Sequence, residues 1–431
     1  MRKNYFVLLT VLLAICLVLS MSACSKTDAD RKDVSAYQSP EGITALRDPL
    51  NRADIDAFPI KDKDMSIDEA RQLCVDFFRF SKTALWVAGA NIKYTRNAAG
   101  IKDSLTAGQV YGGLPYVGLG TGNVYRLLDY IDPATGVLDI DNAADVIKIF
   151  GNQCSIGSYW GWARCINSTD YVGTPTMVQS NNFYPVGPYT YDDSLKEFVP
   201  GMGTVAICTD NGEQTMYASY AQLKTGDGLV WFTAGGHALM CASDAYVVYG
   251  EDGVTIDPEA SYITTIDQGQ VWKDGVTADG QPYKFEGSVD TKRTFAKLYA
   301  AYMIPFTYGE WLGTDPIEDT EISFSHSGEA ITIEELFSSE VTANYGIADI
   351  YAIVRDSTGR EVYKHAIRCL RAHTLALSFI KEAPAGAEVD NVERWGSLED
   401  LKASENYTVQ IIAQLGTGER PVLWEGALSI S

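Results

Sequence analysis

The segment FGNQCSIGSYWGWARC, residues 150–165, constrains the fold of this chain more than any other stretch. Behind a polar Gly-Asn-Gln approach, Ile156, Tyr159, Trp160, Ala163 and Ile166 recur at helical spacing. That pattern predicts a buried helix with Cys154 in its first turn. There the unpaired backbone N–H groups and the positive end of the helix dipole stabilise a thiolate. A thiolate so placed is a nucleophile that needs a base. The chain has four histidines, and His237 is the only one before His326. Taken alone, the stretch is equally compatible with an inert, packed cysteine.

The N-terminus speaks to location. Arg2 and Lys3 precede an apolar run over residues 5–20, followed by Met21-Ser22-Ala23-Cys24. A basic start, an apolar stretch short for a membrane span and small residues before the cut describe an export signal. Cysteine directly after Ser-Ala resembles a bacterial lipobox. The resemblance implies a mature chain that begins at a lipid-modified Cys24 on the outer face of the cell membrane. The net charge of −22 argues against nucleic acid as a partner. Once Cys16 leaves with the signal and Cys24 takes the lipid, Cys74, Cys154, Cys165, Cys208, Cys241 and Cys369 remain. No pair has C-x-x-C spacing, so no zinc site, cofactor or disulfide framework is expected.

With 431 residues the chain has room for two or three domains. Residues 24–60 are polar without a sustained period and read as a tether. Ser66-Ile67-Asp68-Glu69 is a capping box that opens a helix over 67–84, with Ile67, Ala70, Leu73, Cys74, Phe77 and Phe78 on its buried face. The glycine-rich stretch 108–130 lacks the Gly-Lys-Ser/Thr of a phosphate loop. It reads as a loop that lets backbone approach a substrate, followed by a helix over 124–130. Further helices are expected over 141–149, 213–220 and 291–300, with a long loop over 167–199. Strands are expected over 229–233, 237–241 and 261–268. Past Gly313-Thr314-Asp315-Pro316, short strands over 350–354, 361–367, 374–379, 407–415 and 422–430 alternate with turns. They predict a small all-β sandwich. The expected fold class is α+β, with residues 61–312 as one domain and 313–431 as a second that folds separately.

Four segments of the first domain resemble, in family order, the papain-like cysteine peptidases of bacterial cell walls, the NlpC-like group and its amidase relatives. Gly113-Leu114-Pro115-Tyr116 is similar to the family's Gly-x-Pro-Tyr, and Asn152-Gln153-Cys154-Ser155 to its Asp-Cys-Ser helix start. Leu223-Lys224-Thr225-Gly226-Asp227 is similar to its Leu-Lys-Pro-Gly-Asp, and Gly236-His237 to its histidine strand. The chain departs from the pattern at Gln153, in the longer interval from Tyr116 to Cys154, and in the reversed order of Ile156-Gly157.

The resemblance implies a papain-like domain, with a cysteine-bearing helix packed on an antiparallel sheet. It also implies cofactor-free hydrolysis of amide bonds in peptides, above all peptidoglycan stem peptides. Cys154 would supply the thiolate and one oxyanion donor through its amide, and Tyr116 the second donor. His237 would act as base and then protonate the leaving amine. If residues 261–268 pair antiparallel with the His237 strand, Asp267 or Gln268 reaches the ring. One points in and the other out, and alternation does not say which. Asp267 is preferred because a carboxylate also stabilises imidazolium. The competing expectation is a surface lipoprotein that keeps the fold but only binds glycan or peptide, with His237 a core histidine.

Overall fold

The computed structural model describes residues 43–430 except 98–99, 119, 168–173, 175–176, 178–182, 192–202, 233–234 and 378–388. The export signal, Cys24, and much of the loop expected over 167–199 lie outside the described residues. The chain is an α+β protein with two large sheets and few long helices.

Order begins well before the expected end of the tether. Helix α1 (Arg52–Asp56) carries its own capping box at Asn51 and Asp54, and Leu46, Leu50 and Ile55 are buried. Those apolar anchors are spaced too far apart to give a periodic signal in a polar stretch. Helix α2 (Ile67–Thr83) starts as its sequence requires: Glu69 N–H donates to Ser66 Oγ, and Ser66 N–H donates to Glu69 Oε2. Ala70, Leu73, Cys74, Phe77 and Phe78 are buried as expected, whereas Ile67 in the first turn stays exposed. Helix α3 (Val124–Leu127) is shorter than the reading of 124–130. The helix expected over 141–149 is a single turn, Ala143–Asp145, that widens into a π-helical turn, Val146–Phe150. Helix α4 (Cys154–Trp162) is buried along its whole length. Helix α5 (Thr204–Tyr220) begins nine residues before the expected 213, continuing across a kink at Gly212.

The first sheet has nine strands in the order β5-β1-β4-β10-β9-β8-β7-β11-β6. These are β1 (Leu85–Ala88), β4 (Val110–Gly112), β5 (Val137–Leu138), β6 (Tyr184–Pro185), β7 (Gly228–Phe232), β8 (Gly236–Cys241), β9 (Tyr262–Val276), β10 (Pro282–Thr294) and β11 (Ile304–Thr307). A separate hairpin pairs β2 (Ile92–Thr95) with β3 (Lys102–Leu105). The helix expected over 291–300 starts only at Phe295. Thr291 to Thr294 pair with β9, with β-branched threonines at both ends, and stop where the Thr294 hydroxyl caps the helix. Helix α4 lies between α2 and the β8–β9 face of the sheet. A Cβ on Gly161 would sit 2.7 Å from Met240 Cε and 2.9 Å from Phe78 Cβ, so only glycine lets the helix nest this closely.

The C-terminal strands are β12 (Ile322–Phe324), β13 (Ala330–Thr332), β14 (Glu340–Asp356), β15 (Glu361–Ala376), β16 (Val389–Trp395), β17 (Tyr407–Leu415) and β18 (Val422–Ser429). They form one hydrogen-bonded sheet, in the order β13-β18-β17-β14-β15-β16 with β12 on β14, rather than two separate sheets. The reason is the length of β14 and β15. Strand β15 runs from the strand expected over 361–367 into the one expected from 374, β14 begins ten residues before the strand expected over 350–354, and register shifts between Thr342 and Asp349 let β14 pair with β12 at one end and β17 at the other.

Both faces of this sheet are covered. Ile350, Ala352 and Val354 point into a core of the sheet's own, while Tyr351 and Ile353 join the core of the first sheet. Charged groups cross the same junction. Arg368 Nη2 lies 2.8 Å from Asp129 Oδ2 and 2.7 Å from Glu393 Oε2, and Lys364 Nζ lies 2.7 Å from Asp129 Oδ1. The junction near Gly313 is thus a boundary between sheets that share a core.

Candidate active site

The approach to Cys154 is held by the glycine-rich loop. Asn152 N–H donates to the Pro115 carbonyl, Val117 N–H to the Asn152 carbonyl, Gln153 N–H to the Gly120 carbonyl and Gly122 N–H to the Gly151 carbonyl. A Cβ on Gly120 would lie 2.1 Å from the Gly151 oxygen, and one on Gly122 2.1 Å from the Phe150 oxygen. Gly120 and Gly122 therefore admit the chain's own backbone at the turn before Cys154. The clamp fixes the turn from which α4 departs. Cys154 sits at its first position, 4 % exposed, with its thiol 3.9 Å from the Gly236 carbonyl and beside His237.

His237 lies on β8, where Leu229 pairs with Leu239 and Trp231 with His237. Its Nε2 is 2.6 Å from Asp267 Oδ2, so Nδ1 is the nitrogen left for a second partner. The register explains the choice of Asp267. Met240 pairs with Ile266 and Cys241 with Thr265, so Leu239 stands opposite Asp267. Leu239 and His237 share a face, and Asp267 therefore shares it too. Ser288 Oγ donates to the other Asp267 oxygen, and Arg293 Nη2 stands 3.6 Å from Oδ2. The β9–β10 ladder shifts register on either side of Ser288, which re-aims that hydroxyl.

Gln268 points to the opposite face and is not part of this line. Its Nε2 donates to the Leu114 carbonyl at 2.8 Å, and its Oε1 accepts from Lys82 Nζ. It braces the sheet against α2 and the Pro115–Tyr116 loop, so its inclusion among catalytic candidates is corrected. Tyr116 is next to the thiol. Its hydroxyl is in hydrogen-bonding reach of both Cys154 and Gln270, and its N–H donates to Glu286 Oε2.

Sequence reasoning missed the buried charges behind these residues. Lys82 donates to both Gln268 and the Glu286 carbonyl, and Arg96 pairs with Glu286 and Asp103 while donating to the Gln270 carbonyl. One signal was present: Lys82 follows Phe78 by four residues on the apolar face of α2. Asp227, from the Leu-Lys-Thr-Gly-Asp segment, is a structural corner, paired with Arg71 at 2.8 Å and accepting from Thr307 Oγ1 and Lys224 N–H.

Electrostatics favours an ion pair. Burial opposes charge on every member, and specific partners outweigh it. Burial would raise the Cys154 thiol, but the hydrogen bond and charge of His237, with the amides of Ala238 and Ser155, bring it below its ordinary value. Burial would lower His237, but Asp267 and Cys154 raise it to about 9. Asp267 is held at about 2, burial again being outweighed by the His237 hydrogen bond. Burial followed by the Cys154 charge pushes the Tyr116 hydroxyl upward, so it stays a proton donor. The arrangement can present a thiolate, an imidazolium and a neutral hydroxyl around one point.

Asp267→Asn removes the charge that raises His237, weakens the imidazolium and thereby raises the thiol. The pH at which Cys154 begins to react with iodoacetamide should move upward. Gln268→Ala should leave that pH in place and lower the unfolding midpoint instead, because Lys82 loses an acceptor. Equal shifts in both variants would contradict the division of roles. No protein-family model matches the chain, and no curated protein matches it.

Proposed function

We propose that this chain is a cysteine hydrolase of papain-like architecture that cleaves amide bonds in peptides, above all peptidoglycan stem peptides. In this reading a lipid on Cys24 holds it at the outer face of a bacterial cell membrane. The observation that carries the reading is the line Cys154–His237–Asp267, with the cysteine at the first turn of a buried helix and the other two on adjacent antiparallel strands. The four segments in family order support the wall peptide as substrate.

The chemistry follows from the geometry. The Cys154 thiolate attacks the carbonyl carbon, and the oxyanion forms beside the Cys154 amide and the Tyr116 hydroxyl. The His237 imidazolium gives its proton to the amide nitrogen as the C–N bond breaks, leaving a thioester. Neutral His237 then takes a proton from water, whose oxygen displaces the sulfur and releases the acid. Asp267 keeps the ring oriented and stabilises its charged form in both steps.

Incubation with purified muropeptides tests the reading. Products should gain one water and a new free amine, as seen by mass spectrometry. Intact muropeptides together with a Cys154 no more reactive than a model thiol would leave a binder built on this framework.

A further inference from the structure

One member of the charged junction reaches beyond it. Arg126, in α3, is fully buried. Its Nε lies 2.9 Å from Asp349 Oδ1 of β14, and its Nη2 donates to the Cys369 carbonyl of β15 at 2.6 Å. Its Nη1 turns the other way and donates to Thr121, at 3.3 Å to Oγ1 and 3.4 Å to the carbonyl. That carbonyl also accepts from Trp160 Nε1 of α4 at 3.2 Å, and Thr121 bridges Asn152 in β fashion. Asn152 in turn bridges Tyr116. A single guanidinium rooted in the C-terminal sheet thus holds the loop that holds the turn before Cys154, and the same turn carries the backbone of Tyr116.

We infer that Arg126 is a positioning residue for the hydrolysis proposed above, and that through it the C-terminal sheet sets Cys154 and Tyr116 relative to His237. The inference rests on the Cys154 reading. The physical reason is the tolerance of the reaction: a misplacement of about 1 Å costs about a hundredfold in rate. The turn before Cys154 is held by these backbone ties. Arginine is required because one planar fork must serve three chain segments at once, which the single nitrogen of lysine cannot do.

Two full-chain variants test this. Arg126→Lys keeps the positive charge beside Asp349 but not the fork. Arg126→Met/Asp349→Leu removes both charges, and such paired replacements leave stability close to its starting value. In both, kcat per Cys154 titrated with iodoacetamide should fall about tenfold or more, within the hundredfold that a 1 Å misplacement brings. KM should hold, and the pH at which Cys154 becomes reactive should rise. A merely structural role would lower the unfolding midpoint and the titrated fraction but not these per-site values, so wild-type kcat per site and a wild-type pH step in both variants would overturn the inference. Failure of the underlying reading shows elsewhere: the unmodified protein would then lack both rapid Cys154 labelling and hydrolysis.

Discussion

Cys154→Ala is expected to abolish peptide hydrolysis, with a loss of about 10⁴-fold or more, and to leave the cooperative unfolding transition nearly in place. The asymmetry follows from what the sulfur does. It fills little space at the first turn of α4, while Ile156, Tyr159 and Trp160 carry the helix's packing. As a nucleophile it has no substitute. The same residue should be the first of the buried cysteines to react with iodoacetamide near neutral pH, because burial raises the Cys74, Cys208 and Cys241 thiols while His237 lowers that of Cys154. His237→Ala should slow that labelling. The pH dependence has a definite sign. Turnover rises as the lowered Cys154 thiol ionises and falls above about 9, where His237 gives up the proton the leaving amine needs. Labelling spread evenly over the six described cysteines, or hydrolysis that survives Cys154→Ala, would refute the assignment.

The parts of this site that were legible in the sequence are those with a local signature. Cys154 announces itself through a helix start, His237 through a strand after a Gly-Gly turn, and the neighbours Asp267 and Gln268 through their place at the end of the next strand. The choice between Asp267 and Gln268 was not legible, because it depends on which residue stands opposite Leu239, and register is a property of two strands. The short strands β1 to β4 escaped notice because three or four residues are too few to establish a period, even where Ile92 and Tyr94 of β2 alternate with Lys93 and Thr95. Lys82, Arg96, Arg126 and Glu286 escaped for a different reason. A charge in a sequence is read as a mark of the surface, and only the distant partners of these four make their burial tolerable. The separate sandwich was an inference from strand spacing. A strand over 350–354 was visible, but not that each of its faces would join a different core.

Arg368→Met should be among the most destabilising single changes in the chain. The guanidinium is fully buried and serves Asp129 in the first unit, Glu393 in β16 and, at 3.0 Å, the Tyr351 hydroxyl. Removing it takes a charged partner from two carboxylates at the junction, leaving Lys364 and the Tyr351 hydroxyl beside Asp129 and the Tyr130 hydroxyl beside Glu393. Loss of one partner from a buried ion pair costs about 3–5 kcal/mol, far more than the intact pair contributes. The expected result is a large fall in the denaturant midpoint, with both units still unfolding in one transition because Tyr351 and Ile353 belong to the first sheet's core. A chain ended at Leu312 should fare worse. It would expose the apolar surface that the β14 face covers and leave Arg126 without Asp349 and the Cys369 carbonyl. Two well-separated transitions in the full chain, or a soluble 1–312 fragment that labels at Cys154 as fast as the whole protein, would show that the sheets fold apart after all.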